Sequence, residues 1–342
     1  MPYALLRPLL FALEPERAHG LTLRMLRLSG CLPSREPAEL PLTLMGLEFP
    51  NRLGLAAGFD KNAVAVSGAA RLGFGFIEVG TVTPRPQPGN ARPRMFRYPQ
   101  ERALINRSGF PNEGAAACAR RLRVARRNGR IVGVSIGKNA DTPLPRAVDD
   151  YVECLRVVHD VADYVAVNIS SPNTTQLREL HERARLELLL AALQEERRRL
   201  LAGTGRLLPI VLKLSPDLDA ATLDTVAAVL RELYGDGGID GIIATNTTKS
   251  RDGLPAARDV IGGLSGAPLL PLALATVRRL RELLGPQLPI IGSGGVDDGE
   301  SALALRAAGA DLVQIYTGLV YRGPRLIDEC LRALSRPSPA TE

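Results

Sequence analysis

Polar residues gather at eight stations along the chain, each following a short apolar run. They are Asp60-Lys61-Asn62, Gly80-Thr81-Val82-Thr83-Pro84, Ser135 with Gly137-Lys138-Asn139, Asn168-Ile169-Ser170-Ser171-Pro172-Asn173, Lys213-Leu214-Ser215-Pro216, Thr245-Asn246-Thr247-Thr248, Ser293-Gly294-Gly295-Val296 and Tyr316-Thr317-Gly318. A further polar stretch, Ile105-Asn106-Arg107-Ser108-Gly109-Phe110-Pro111-Asn112, lies between the second and third stations. Asn and Lys recur at these stations, and carboxylates are nearly absent. A ring carrying both N–H and C=O groups is matched by amides, and an anion by ammonium groups, so the set suits a flat, polar, anionic heterocycle. Any one Asn alone reads better as an Asx-turn at the start of a loop; it is Asn106, Asn168, Asn173 and Asn246 together that point to a ligand. Of the 43 basic residues only four are lysine, at 61, 138, 213 and 249. Where arginine serves as the generic cation, a retained lysine marks a place that wants a compact ammonium.

Two of the stations, Gly294-Gly295 and Thr317-Gly318, expose backbone N–H groups ahead of expected helices, an arrangement that cradles phosphate; Gly262-Gly263-Leu264-Ser265-Gly266 reads as a third glycine-rich turn. A phosphate-bearing cofactor follows. No histidine stands at a station, which argues against a Ser-His-Asp triad. By residue type alone, Ser171 reads as a capping or loop serine.

The elements that must position these groups show in the apolar pattern. Runs at 53–57, 76–79, 131–136, 164–169, 210–214, 241–245, 289–292 and 312–316 read as buried parallel strands. Segments of helical period separate most of them, as at 185–201, 220–234, 272–284 and 301–308. Eight strand–helix units predict a closed (β/α)8 TIM barrel, an α/β fold with its chemistry at the C-terminal strand ends. An open doubly wound sheet is the alternative, but the GxGxxG turn it would carry after the first strand is missing.

Residues 1–40 read as a separate helical hairpin and linker, and 41–338 as the barrel. In 1–30, Pro8 and Pro15 are placed to start two short helices. The second puts Ala18, Leu21, Met25 and Leu28 on one face. Neither run reaches the roughly 20 apolar residues of a membrane span. Glu14, Glu16 and the lack of a small-residue cleavage site argue against a signal peptide. The hairpin either packs on the barrel or lays an apolar face on lipid. Residues 31–42, with Pro33, Pro37 and Pro41, read as the linker.

Composition bounds the rest. The chain has 342 residues, 45% hydrophobic, with 33 Gly and 26 Pro, which fits one large loop-rich domain. Four unpatterned Cys and three His offer no metal-ligand spacing, so no metal is expected. The net charge of +7 admits nucleic acid, an anionic membrane or anionic small molecules. The densest basic run, Arg120, Arg121, Arg123, Arg126, Arg127 and Arg130, circles a helix without interleaved aromatics and reads as a solvated outer face.

The segments AAGFDKN, EVGTVTPRPQPGN, INRSGFPN, GKN, VNISSPNT, GGLSG, IIGSGGV and LVQIYTG, in this order and spacing, resemble class 2 dihydroorotate dehydrogenase, and the match extends to Leu-Glu-Pro-Glu-Arg-Ala-His at 13–19. That resemblance implies one FMN per chain and oxidation of (S)-dihydroorotate to orotate in pyrimidine (UMP) biosynthesis. It implies a membrane quinone as acceptor and a peripheral enzyme on the cytoplasmic face of the cell membrane, held by anionic lipid; a monomer that binds no nucleic acid is expected. Carried over by position, Ser171 is the base that takes the C5 proton while hydride leaves C6 for flavin N5. The substrate contacts are Lys61, Asn106, Arg107, Ser108, Gly109, Phe110, Asn168, Asn173, Asn246 and Thr247. The FMN contacts are Ala57, Gly58, Phe59, Asp60, Lys61, Thr81, Asn168, Lys213, Thr245, Gly266, Gly295, Tyr316 and Thr317. The quinone tunnel would involve His19, Arg97 and Tyr316. Residues 171–183, with Pro172, Thr174, Thr175 and Gln176, would form a lid. One departure stands out: the family's strand-three Asn is Ser135 here, which keeps a hydroxyl but loses the amide's paired donor and acceptor. Two rivals share the fold, a flavin barrel reducing uridine in RNA and a non-catalytic phosphate-binding barrel. The first uses a Cys acid, and no Cys stands at a station here.

Overall fold

In a computed structural model the described residues are 3–32, 40–125, 127–174, 176–234 and 238–336. Pro33 and Pro37 of the expected linker, Arg126 of the arginine run and Thr175 of the expected lid lie outside them. Eight parallel strands close a barrel in chain order: β1 (Leu53–Leu55), β2 (Phe76–Val82), β3 (Ile131–Ile136), β4 (Tyr164–Asn168), β5 (Ile210–Leu214), β6 (Gly241–Ala244), β7 (Ile290–Ser293) and β8 (Leu312–Ile315). The Val313–Leu53 register closes β8 onto β1. The open-sheet alternative is thereby excluded. The strands read as unbroken apolar runs because both of their faces are buried, one against the outer helices and one in the barrel interior.

The lower interior is filled by Phe76, Tyr164, Ala166, Val211, Ile243, Ile291 and Leu312, with Phe49 plugging the base from a β-hairpin formed by Leu42–Leu44 and Leu47–Phe49. Glycines make room for the rings: a Cβ on Gly54 would sit 2.2 Å from the Phe76 ring, and one on Gly133 would sit 2.1 Å from Tyr164. This packing fixes the strand ends above it, which are where the polar stations lie.

Helices α1 (Tyr3–Ala12) and α2 (Pro15–Ser29) precede the barrel. The outer layer comprises α3 (Val66–Ala70), α4 (Ala115–Val124), α5 (Ala147–Val158), α6 (Arg183–Thr204), α7 (Ala220–Tyr234), α8 (Leu270–Leu284) and α9 (Gly299–Ala307), followed by α10 (Thr317–Arg322) and α11 (Arg325–Leu334). Around α4, Arg123 pairs with Asp160 and Arg127 with Asp163, at 2.8 and 2.9 Å, and Arg121 pairs with Glu113. Much of the arginine run is thus neutralised locally.

Three expectations are corrected. Pro15 does open α2, but Pro8 lies inside α1. The carbonyl it leaves unbonded belongs to Ala4, which is exposed, so water can satisfy it. The expected α2 face splits: Ala18 is buried, whereas Leu21, Met25 and Leu28 point outward at 41, 46 and 77% exposure. Periodicity finds an apolar stripe but does not say what covers it. Finally, Gly262–Gly266 is not a simple turn. Gly263–Gly266 pairs antiparallel with Ala103–Asn106, which pairs with Met95–Tyr98, making a three-stranded sheet.

Candidate functional site

Seven of the eight polar stations converge on one cavity at the barrel mouth, enclosing about 1140 Å³ with its open mouth included; the third does not, and Lys138 there donates to the Asn139 and Thr142 carbonyls. Of the expected contacts, Ala57, Gly58, Lys61, Thr81, Asn106, Ser108, Gly109, Phe110, Asn168, Ser171, Asn173, Lys213, Thr245, Asn246, Thr247, Gly266, Gly295, Tyr316 and Thr317 line it.

Its amides are held by one another. Asn246 Nδ2 donates to Asn168 Oδ1 at 3.2 Å and to Ser170 Oγ at 2.9 Å. Asn168 Nδ2 donates to Thr81 Oγ1 at 2.8 Å, and Thr81 Oγ1 lies 2.9 Å from Ser135 Oγ. Asn173 Nδ2 donates to the Asn106 carbonyl at 3.0 Å, joining the β4 end to the stretch between β2 and β3. Ser171 is buried, and its Oγ accepts the Asn173 N–H at 3.2 Å. Such a network fixes amide orientations before any ligand arrives, which lowers the cost of binding.

Two ammonium groups reach the cavity. Lys61 Nζ donates to the Gly58 carbonyl at 2.7 Å, and burial holds its pKa down at about 8. Lys213 enters from β5. Gly266 and Gly295 take positive φ of 97° and 81°, and a Cβ on either would meet main chain at 2.2 and 2.4 Å. Only glycine lets these turns close beside Thr317, whose Oγ1 bonds Ser265 Oγ at 2.9 Å.

Four expected contacts do not line this cavity. Ser135 is wholly buried and reaches it only through Thr81. Asp60 caps the following turn, accepting the Val64 and Ala65 N–H groups at 2.9 and 2.7 Å, and burial raises its pKa. Arg107 donates to the Pro93 carbonyl at 2.8 Å and covers Phe96. Phe59 turns to the other side of the wall. The sequence reading missed Gln314 and Ser265, which line the cavity from inside strands, as well as Met95 and Leu104.

Behind that wall lies a second cavity of about 820 Å³ beneath α1 and α2, lined mainly by apolar side chains and containing His19, Arg97 and Tyr316 together. Met95, Leu104 and Tyr316 line both cavities. Phe59 packs edge-on between His19 and Tyr316, at centroid distances of 5.3 and 5.7 Å. Burial, reinforced by the Lys61 charge, pulls the His19 pKa down to about 3, so the ring is neutral at ordinary pH. Arg97 donates to the Leu10, Phe11 and Leu13 carbonyls and stacks over Phe11, clamping the end of α1. Arg94, nearly buried, pairs with Glu16 at 2.6 Å and ties α2 to the barrel.

The segment after Ser171 is not a bare loop. A short 3₁₀ helix, Leu177–His181, buries Leu177 and Leu180, and Arg178 bridges to Asp217 at 2.8 Å.

A cavity with glycine turns at one end, amides and ammonium groups at the other and an apolar annex behind can hold a phosphate-bearing planar cofactor against an anionic ring while admitting an apolar molecule from the far side. The comparisons with known proteins agree. The family model described as dihydroorotate dehydrogenase matches residues 39–337. The chain is 52% identical over 337 residues to "Dihydroorotate dehydrogenase (quinone)" of Aromatoleum aromaticum, covering 97% of this chain and 95% of that one. It is 53% identical over 344 residues to the protein of the same name from Leptothrix cholodnii, covering 98% and 99%. Among solved structures, that of the Eimeria tenella enzyme in complex with ferulenol superposes with a TM-score of 0.85 at 36% identity, covering 94% of this chain and 90% of that one. This chain belongs to the dihydroorotate dehydrogenase family, in its class 2 branch.

Proposed function

We propose that this chain oxidises (S)-dihydroorotate to orotate, using FMN and passing the electrons to a membrane quinone, as a step of pyrimidine biosynthesis. One observation carries the reading: a polar cavity and an apolar cavity share the Tyr316 wall. The names of the relatives support the same substrate and acceptor.

The residues present fit FMN. Lys213 brings positive charge to the ring end, Gln314 Oε1 is a buried acceptor with no partner in the protein, and the Gly266, Gly295 and Thr317 turns offer backbone N–H groups to a phosphate. Bound there, FMN supplies the two-electron acceptor that side chains cannot. Ser171 is the base: its Oγ takes the C5 proton as the hydroxyl's own proton passes to water, and the Asn173 N–H pointing at that oxygen favours the alkoxide character this requires. Asn106, Asn168, Asn173 and Asn246 meet the ring's N–H and C=O groups, and Lys61 meets the substrate's carboxylate. Residues 171–183 act as the lid that excludes water, latched through Arg178.

Residues 1–40 serve quinone access and 41–338 the flavin chemistry. His19, neutral at ordinary pH, and Arg97 border the quinone path. Leu5, Leu9, Leu13, Leu21, Met25, Leu28 and Leu32 are all exposed on the N-terminal segment, a surface suited to lying on the cytoplasmic face of an anionic membrane. No described helix is long and apolar enough to cross one. The test is direct: the purified protein should be yellow and should bleach anaerobically on addition of dihydroorotate. A colourless protein, or a yellow one that dihydroorotate leaves unbleached, refutes the assignment.

A further inference from the structure

Below the cavity floor lies a carboxylate outside the set of polar strand ends. Glu78 sits in the middle of β2 and is wholly buried. A buried carboxylate persists only when its charge is paired and its oxygens are bonded. Here both conditions hold. Tyr164 Oη donates to Oε2 at 3.0 Å, Gln314 Nε2 donates to the same oxygen at 2.8 Å, and Lys213 Nζ lies 3.4 Å from Oε1. The four groups come from β2, β4, β5 and β8, so barrel closure itself assembles them.

Two of the four, Lys213 and Gln314, also line the cavity. An ionised carboxylate can only accept, so Glu78 dictates which end of the Gln314 amide turns toward it. The nitrogen faces Glu78, and Oε1 is left buried without a partner. Glu78 is likewise the only acidic group paired with Lys213 among the described residues.

We propose that Glu78 is a positioning residue for the flavin site, anchoring the Lys213 Nζ at the cavity and fixing the Gln314 amide with its oxygen free for a donor on the bound ring. The proposal rests on the flavin reading above. Without Glu78 the Lys213 side chain loses the anchor that holds its Nζ in place at the cavity. The field that favours the electron-rich reduced ring is then lost, since charge near the ring tunes its electronics.

The test is the midpoint potential of the bound flavin, measured by equilibration with a reference dye in wild type, Glu78→Gln, Lys213→Met and the double variant. Glu78→Gln should retain flavin but destabilise its reduced form at least tenfold, a fall of about 30 mV for a two-electron couple. Lys213→Met should fall as far. The double variant should fall no further, because both substitutions take the same Lys213 charge away from the ring. Should Glu78→Gln not fold, Glu78→Asp keeps the charge but draws it back from Lys213 and should lower the potential by a smaller amount. An unshifted potential in a flavin-bound Glu78 variant, or additive falls in the double variant, overturns the role of Glu78. Wild type without flavin would instead refute the reading on which the proposal rests.

Discussion

At the barrel mouth the walls are amides, ammonium groups and glycine turns, set by seven of the eight strand ends and by hydrogen bonds among themselves. Beneath α1 and α2 the walls are side chains such as Leu10, Phe11, Leu26 and Leu319, and the few polar groups there are occupied with the protein: Arg97 by the end of α1, His19 by the Phe59 ring. The first cavity is pre-organised through directional bonds, the second through shape alone. Polar specificity needs fixed donors and acceptors, because an unmatched one is costly when buried. A long apolar tail needs only a dry channel of the right width. The two are separated by little more than Tyr316, Met95 and Leu104, the arrangement that the proposed function needs if two half-reactions are to share one cofactor without sharing a solvent.

The contrast can be broken first at Ser171. Ser171→Ala removes the proposed base while leaving the amide network intact, so flavin should still bind and orotate affinity should change little. Reduction of flavin by dihydroorotate should slow about 10²–10⁴-fold, the range for a general base. Single-turnover stopped flow gives the number, and an unchanged rate would remove Ser171 from the mechanism.

The next effect belongs to the apolar side. Met25 and Leu28 are exposed and touch neither cavity. Replacing both with Glu should reduce partitioning onto anionic vesicles at least about tenfold, since a buried apolar side chain of this size is worth roughly 1.5–3 kcal/mol. Bleaching by dihydroorotate should be untouched. Equal vesicle binding by the variant would move the membrane contact elsewhere.

Lys61 offers a pH test of the polar side. Its pKa in the free protein is about 8, below the usual 10.5, because of burial. Binding an anion requires the ammonium, so orotate affinity should decline as pH rises above about 8, by at most about tenfold per unit. Stability runs the other way: between 8 and 10.5 the unfolded chain holds the extra proton, so this group's contribution to stability increases with pH. Orotate titrations from pH 6 to 10 should show the decline, and a flat profile would take Lys61 out of the anion site.

The smallest effect is expected at Ser135. It contacts Thr81 rather than the cavity. Ser135→Ala should lose one buried hydrogen bond, about 0.5–1.5 kcal/mol, and weaken FMN retention only several-fold; complete loss of flavin would mean that Ser135 holds the cofactor directly.

Much of this was legible in the sequence. Parallel strands buried on both faces appear as continuous apolar runs, and polar residues directly after them had to be strand ends, which is how Asn168, Lys213 and Asn246 were placed. Less visible were groups whose role depends on what the other strands bring. Glu78 and Gln314 lie inside β2 and β8, where an inward polar residue cannot be told from an outward one until the barrel closes. Leu21, Met25 and Leu28 formed a stripe whose exposure no period could give. Asp60 stood among the polar stations but caps a turn, because an Asp at a loop start serves either purpose.

The separation of the two cavities is tested most directly by filling one of them. Thr22 of α2 lines the apolar cavity alone. In a double-mixing stopped-flow experiment, Thr22→Trp should be bleached by dihydroorotate at the wild-type rate in the first mix. In the second mix, reoxidation by a long-chain quinone should slow at least about tenfold. Wild-type reoxidation with bleaching intact would contradict the two-cavity account, and so would equal slowing of both steps.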